Sequence, residues 1–81
     1  MKLLVIFLLA FSTSLFAQSN FDLAERARLK QNWEVAISEY EKAFEKSNPV
    51  AAYWLGTFFL DGVGVTQSSV HAAAYFYIAA N

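Results

Sequence analysis

Few residues in this chain are of the types that catalyse reactions or bind metal ions. His71 is the only histidine, no cysteine is present, and Asp61 is the carboxylate nearest to His71 along the sequence. A zinc site takes three or four ligands of these types, so we expect neither a metal nor another cofactor. Serine residues also occur, but no Gly-x-Ser-x-Gly turn or Ser-x-x-Lys motif would present a nucleophile. We therefore predict no catalytic residue, and a place for His71 on a helix surface or at an interface.

Gly62 and Gly64 lie on either side of Val63, between two apolar segments. A phosphate-binding loop would need further glycines, a lysine and a preceding strand, and the sequence around these residues has none of them. Glycines readily take the positive φ angles that end a helix and reverse the chain. We interpret this stretch as a structural turn between two helices.

The N-terminus has the order of a secretion signal. The positive start Met1–Lys2 precedes an apolar run, Leu3–Phe11, and the small residue Ala17 follows a polar break. The run is shorter than the ~20 residues of a transmembrane helix. The sequence therefore predicts a signal peptide over residues 1–17, cleaved after Ala17, and a secreted or periplasmic protein that contacts the membrane only through this segment. The alternative is an uncleaved N-terminal anchor.

The mature chain would be small and mildly acidic. Removal of residues 1–17 leaves five Lys and Arg, the six of the whole chain less Lys2, against seven Asp and Glu, a formal net charge of −2. This charge argues against nucleic acid or an anionic membrane surface as the partner. A domain of this size buries only about 60% of its unfolded surface. Without a disulfide, we expect it to be marginally stable alone.

The spacing of apolar residues predicts an all-α fold of four helices. Cap residues separate them: Asn20 and Asn32 are good N-caps, and Pro49 suits the first turn of a helix. The predicted helices are Phe21–Gln31, Trp33–Lys46, Pro49–Leu60 and a fourth that follows Ser68 or Ser69.

The inward faces of the helices follow from the same spacing. On the first helix we expect charged side chains, Glu25 and Arg28 among them, to face water. In the third helix, Gly56 costs up to about 1 kcal/mol relative to alanine, which makes sense if another helix crosses closely there. The second and fourth helices have apolar stripes at steps of three and four residues. These stripes are Trp33, Ala36, Ile37, Tyr40, Ala43 and Phe44 in the second helix, and Ala72, Tyr75, Phe76 and Ala79 in the fourth.

The second half of the chain contains a pattern of glycine, alanine and aromatic positions: Leu55-Gly56, Gly62, Gly64-Val65, Ala72, Tyr75 and Ala79-Ala80. These residues resemble a Sel-1-like repeat, in which a Leu-Gly pair precedes Gly-x-Gly-Val, an aromatic residue and a closing Ala-Ala. The spacing matches over residues 51–80 without a gap. Phe59 stands where a tyrosine is usual, and Ser68 replaces the usual capping aspartate. The resemblance implies an α/α hairpin that stacks into a solenoid.

The preceding half is similar to the related tetratricopeptide repeat. The spacing of that family's second helix is matched by Trp33, Ala36, Tyr40 and Ala43. Gln31 is a departure, because a glycine is usual at that position. Together the two resemblances imply a solenoid of two helical hairpins, a tetratricopeptide-like hairpin over residues 18–47 and a Sel-1-like repeat over residues 48–81.

The resemblance also implies a binding surface. In helix-hairpin solenoids, side chains of the first helix of each hairpin line a concave surface that binds peptides. Such a groove would pair aromatic contact with a few polar contacts. The alternative is a short array that presents no usable groove. The matching positions are Tyr53, Thr57 and Asp61 in the second unit, and Glu25 and Arg28 in the first.

The fourth helix departs from the family pattern. Its outer side is usually charged but is apolar here, and a helix that is apolar all round is normally buried. Repeat arrays also need about three units and a polar terminal cap. We therefore expect either that the chain is a truncated piece of a longer repeat protein, or that another chain, such as a second copy, covers this helix. The interface residues would be Val70, Ala74, Tyr77 and Ile78.

These observations favour an exported, non-catalytic repeat module that scaffolds or binds another protein. The alternative is an ancillary repeat segment of a cell-envelope hydrolase. Some cysteine-rich Sel-1-like proteins carry a β-lactamase label, but this chain lacks their cysteines, and we do not transfer that activity. A third reading is a fragment of a longer repeat protein with no independent function.

Overall fold

The computed structural model describes residues 19–81, and in this range it contains four α-helices and no strand. The prediction of an all-α fold is therefore confirmed. The predicted signal peptide lies outside the described residues. The helices are α1 (Asn20–Leu29), α2 (Trp33–Glu45), α3 (Pro49–Asp61) and α4 (Ser69–Ala80).

Helix α1 begins one residue earlier than predicted, because Ser19 and not Asn20 is its N-cap. The Ser19 hydroxyl accepts a hydrogen bond from the backbone N–H of Asp22 at 3.1 Å, which satisfies one of the free donors of the first turn. Asn20 is instead the first helical residue. Its side-chain amide donates to Glu39 at 2.7 Å and accepts from Lys46 at 2.6 Å, so it ties α1 to α2.

Helix α1 also ends two residues earlier than predicted. Gln31 has a φ angle of 59°, in the left-handed region that favours glycine, and a residue in this conformation cannot continue a right-handed helix. The chain then passes directly into α2. Asn32 caps α2 as predicted, and its side chain accepts from the backbone N–H of Val35 at 3.4 Å.

The starts of α3 and α4 follow the predicted Pro49 and Ser68, while α2 ends one residue earlier than predicted and α3 one residue later. Asn48 accepts hydrogen bonds from two backbone N–H groups of α3 at 2.9 and 3.2 Å, and Pro49 occupies the first turn of that helix. Gly62 ends α3 with a φ angle of 68°. Ser68 caps α4 by accepting a backbone N–H of its first turn at 3.2 Å. These short polar residues therefore determine where each element begins.

The core lies where α2 packs between α1 and α3. Each helix packs on the next along the chain, α1 on α2, α2 on α3 and α3 on α4. Tyr40 and Leu55 are the largest fully buried side chains, and small alanines around them let the helix backbones approach. The stripe predicted for α2 faces this core. The buried cluster consists of Ala24, Ala27, Ala36, Ile37, Tyr40, Ala43, Ala51, Leu55 and Phe58.

Two glycines mark close approaches between elements. A Cβ atom at Gly56 would lie 2.8 Å from two ring atoms of Phe76, so the predicted close helix crossing at Gly56 is confirmed. A Cβ atom at Gly64 would lie 2.7 Å from both Trp33 Cβ and Ile37 Cδ1. The segment that connects α3 to α4 therefore packs directly on α2, and it fixes the second pair of helices against the first.

Candidate functional site

Three polar side chains of α1 and α2 form one hydrogen-bonded cluster. Arg28 Nη2 donates to Glu25 Oε2 at 2.9 Å, and Arg28 Nε donates to the Tyr40 hydroxyl at 2.9 Å. The Tyr40 hydroxyl in turn donates to Glu25 Oε1. Glu25 and Arg28 are three residues apart and so are neighbours on one face of α1. The prediction that this face is wet is wrong for both residues, which are half-buried over Tyr40.

The cluster stabilises one protonation state of each member. Burial raises the pKa of Tyr40 above its usual range, and the hydrogen bond to Glu25 raises it further. Burial alone would raise the pKa of Glu25, but the hydrogen bonds from Arg28 and Tyr40 outweigh it, so the pKa is lowered. The hydrogen bond to Glu25 raises the pKa of Arg28. At neutral pH the cluster is therefore a carboxylate, a guanidinium and a neutral phenol.

Trp54 of α3 completes the environment of Arg28. The guanidinium carbon lies 4.0 Å from the centroid of the Trp54 ring, a cation–π contact. The Tyr40 ring is stacked on the same indole, with ring centroids 6.3 Å apart and planes at 22°. Arg28 is thus held by contacts with three side chains while 22% of its own side chain remains exposed.

A groove of about 340 Å³ opens beside Arg28, and we call it the Trp54 groove. Residues of α1, of α3 and of the start of α2 contribute to it. Its wall combines three aromatic rings with one cation and one carboxylate, so it offers both apolar contact and two opposite charges. Its principal residues are Arg28, Trp33, Trp54, Thr57, Phe58 and Asp61.

The structure brings together three of the five residues predicted for the groove. Arg28, Thr57 and Asp61 line the Trp54 groove. Glu25 lies behind it as the hydrogen-bond acceptor of Arg28. Tyr53 does not line this groove. Its ring packs towards α4 and, half-exposed, lines a separate apolar cavity of about 410 Å³ between α3 and the end of α4.

Sequence reasoning missed Trp33 and Trp54 as groove residues: Trp33 was placed on the inward stripe of the second helix, and Trp54 was not among the residues predicted for the groove. Trp54, Thr57 and Asp61 follow one another at steps of three and four residues, so they lie on one face of α3. Tyr53 is displaced by one position from Trp54, which turns it towards α4. The spacing back from Asp61 is the signal that identifies Trp54 as a groove residue.

The four residues predicted for an interface are all exposed on α4. Val70 is 79% exposed, Tyr77 73% and Ile78 46%, and Ala74 is exposed as well. Ala72, on the opposite side of the helix, is 1% exposed. Helix α4 therefore buries one side against α3 and presents an equally apolar side to solvent.

His71 is exposed near the start of α4. Its ring is stacked on Phe59, with centroids 5.0 Å apart and planes at 17°, and its Nδ1 lies 2.7 Å from the Ser68 hydroxyl. The same hydroxyl accepts the backbone N–H of His71, so Ser68 serves as the helix cap. Within residues 19–81, no group of three or more His, Cys, Asp and Glu side chains could hold a metal ion.

Comparison with known proteins adds no information about function. No protein-family model, no curated protein and no solved structure matches the chain. None of the helices α1 to α4 combines the length and apolar character that crossing a membrane requires. Three features of residues 19–81 therefore bear on function: the groove, the polar cluster and the exposed side of α4.

Proposed function

We propose that the chain is a non-catalytic binding module that holds an extended peptide segment of another protein in the Trp54 groove. The observation that carries this proposal is the lining of the groove, where Trp33, Trp54 and Phe58 occur together with an arginine that three side chains hold in place. Tryptophan and arginine are among the residue types that dominate binding energy at protein interfaces. A groove of this composition suits a peptide with an apolar side chain between polar contacts.

Arg28 is already ordered before a ligand arrives. Its bonds to Glu25 and Tyr40 and its contact with Trp54 hold it in one position, so binding need not immobilise a flexible side chain, a saving that increases affinity. The exposed part of the guanidinium can donate to a peptide carbonyl or carboxylate. Asp61, which is exposed in the same groove, can accept from a peptide N–H or a basic side chain.

We further infer that the module is an exported helical-hairpin repeat of the tetratricopeptide and Sel-1-like kind. In this reading α1 with α2 forms one hairpin and α3 with α4 the second, in a short solenoid. The packing of each helix on the next supports the arrangement, as do the left-handed backbone at Gln31 and at Gly62. Export, with cleavage after Ala17, rests on the residue order of the N-terminus.

Selected peptides test the groove. Peptides would be selected from a displayed random library on the wild-type chain, and the affinity of one synthetic peptide would be measured by calorimetry. Thr57→Trp fills the groove, and we expect it to weaken binding at least about tenfold. Ser38→Trp places the same side chain on an exposed part of α2 and should leave the affinity unchanged. Equal binding by both folded variants would contradict the proposal.

A further inference from the structure

We propose that the outer side of α4 is the interface of a homodimer, in which α4 packs antiparallel against α4 of a second copy. This inference is independent of peptide binding in the Trp54 groove. The outer side carries Val70, Ala74 and Tyr77, directly opposite the buried Ala72, and Asn81 follows just past the end of the helix; these four residues are separated by four, three and four positions. This is the heptad spacing with which one helix packs along another.

The stripe is complementary to itself. In an antiparallel pair with its two-fold axis between residues 75 and 76, Ala74 lies opposite Tyr77 of the second copy, and symmetry repeats the contact. The alanine leaves room for the tyrosine ring. A similar fit of an aromatic ring against a small residue occurs between α3 and α4, where the missing side chain of Gly56 makes room for the ring of Phe76.

The absence of charge favours a second copy over a different protein as the occupant. In an isologous interface each surface meets itself, so any charge near the axis lies close to its own like charge, which is destabilising. Helix α4 contains no acidic or basic residue in its first or last turn, or anywhere between Ser69 and Ala80 except His71. His71 lies off the stripe, stacked on Phe59.

The size of the surface sets the expected strength. A helix of this length offers about three turns, fewer than a standard interface needs. Its two large side chains, Val70 and Tyr77, are mostly exposed in the monomer, so both gain burial on association. We therefore expect a reversible dimer that forms at micromolar concentration rather than an obligate one.

Two adjacent alanines provide a matched test by sedimentation equilibrium of the full chain. Ala73 and Ala74 are both exposed on α4, so Ala→Glu costs the same helix propensity and adds the same charge at either position. We expect Ala74→Glu to weaken dimerisation at least about tenfold, and Ala73→Glu, which lies off the stripe, by no more than about threefold. The Trp54 groove contains no residue of α4, so Ala74→Glu should keep its peptide affinity.

Cysteine trapping tests the register. The chain has no cysteine, so one introduced thiol is unique. Ala74→Cys lies near the proposed axis and should give a covalent dimer on oxidation, whereas Val70→Cys lies at the far end of the pair and should not. A wild-type chain that stays monomeric up to its solubility limit would overturn the proposal. So would equal dimerisation of the two glutamate variants, or trapping at Val70 but not at Ala74.

Discussion

The two helical pairs of this chain are stabilised in different ways. Between α1 and α2, the side chains of Glu25, Arg28 and Tyr40 all bond one another. Apart from His71, helices α3 and α4 contain a single acidic or basic residue, Asp61, and they meet where the ring of Phe76 packs on a glycine. The first pair therefore adds a bonded polar cluster to its apolar packing, whereas the second relies on the fit of apolar shapes.

The turns of the two pairs also differ, in the type of residue that adopts the left-handed conformation. Both reverse the chain through left-handed backbone, at Gln31 with φ 59° and at Gly62 with φ 68°. Only glycine adopts this conformation without a steric cost from Cβ. The first pair accordingly accepts a steric cost at Gln31 that the second pair avoids with Gly62.

This contrast separates two kinds of surface on one small chain. The polar cluster presents Arg28 to the Trp54 groove in a fixed position, which suits recognition of a peptide. The apolar pair leaves the outer side of α4 uncovered, which suits association with another helix. Substitutions that change one pair and spare the other test whether this division is real.

The largest effect is expected where the second pair packs on the first. Gly64→Ala combines a φ angle of 72° with contacts at 2.7 Å to Trp33 and Ile37, and should lower the free energy of unfolding by about 3 kcal/mol. Gly62→Ala has a similar φ angle, but its nearest neighbour is the side chain of Gln67 at 3.1 Å. This control should cost about 1 kcal/mol. Equal losses in urea unfolding would mean that packing on α2 is unimportant.

A smaller effect is expected from acid, and it should arise in the first pair. Hydrogen bonds from Arg28 and Tyr40 lower the pKa of Glu25 despite its burial, and the hydrogen bond from Asn20 lowers the pKa of Glu39. A carboxyl group with a lowered folded-state pKa stabilises the fold above its unfolded pKa, and this stability is lost as the pH falls through the folded value. The free energy of unfolding should therefore decline below about pH 4.5, the ordinary value for both groups.

Variants at single glutamates assign this acid sensitivity. Glu25→Gln should reduce the slope of the free energy of unfolding against pH below about pH 4.5, because residue 25 no longer titrates. Glu34→Gln, on the exposed face of α2, is the control for the loss of one negative charge. Urea unfolding followed by circular dichroism at several pH values measures the slopes. Equal slopes in Glu25→Gln and the wild type would show that the cluster does not contribute to acid stability.

The smallest effect is a gain in stability at the turn of the first pair. Gln31→Gly relieves the cost of a left-handed glutamine but adds the backbone entropy of glycine, so we expect a net increase of about 0.5 kcal/mol in the free energy of unfolding. Lys30→Gly, at the neighbouring position with φ −88°, gains nothing from glycine and should destabilise. Thermal melts of the two variants should therefore shift in opposite directions. A loss of stability in both would show that the turn is not strained.

Local signals in the sequence were sufficient to predict the four helices and their order along the chain. The caps Asn32 and Ser68 and the break at Pro49 act through bonds within a few residues, so their effects can be read from neighbouring positions. The first helix was the exception. Its N-cap is Ser19, and its end is set by the left-handed backbone at Gln31. Glutamine is not a residue type that predicts this conformation.

The sequence by itself determined an all-α chain, the inward stripe of α2 and the close helix crossing at Gly56. Helical periodicity and the position of a glycine can both be read directly from the order of residues. Only the tertiary structure decided that Arg28 lies over Trp54 and bonds Tyr40, and that Tyr53 turns away from the groove. These contacts join residues far apart in the chain, and they depend on how helices cross. Periodicity identifies the face of each helix, whereas the relative placement of the helices selects the side chains that meet.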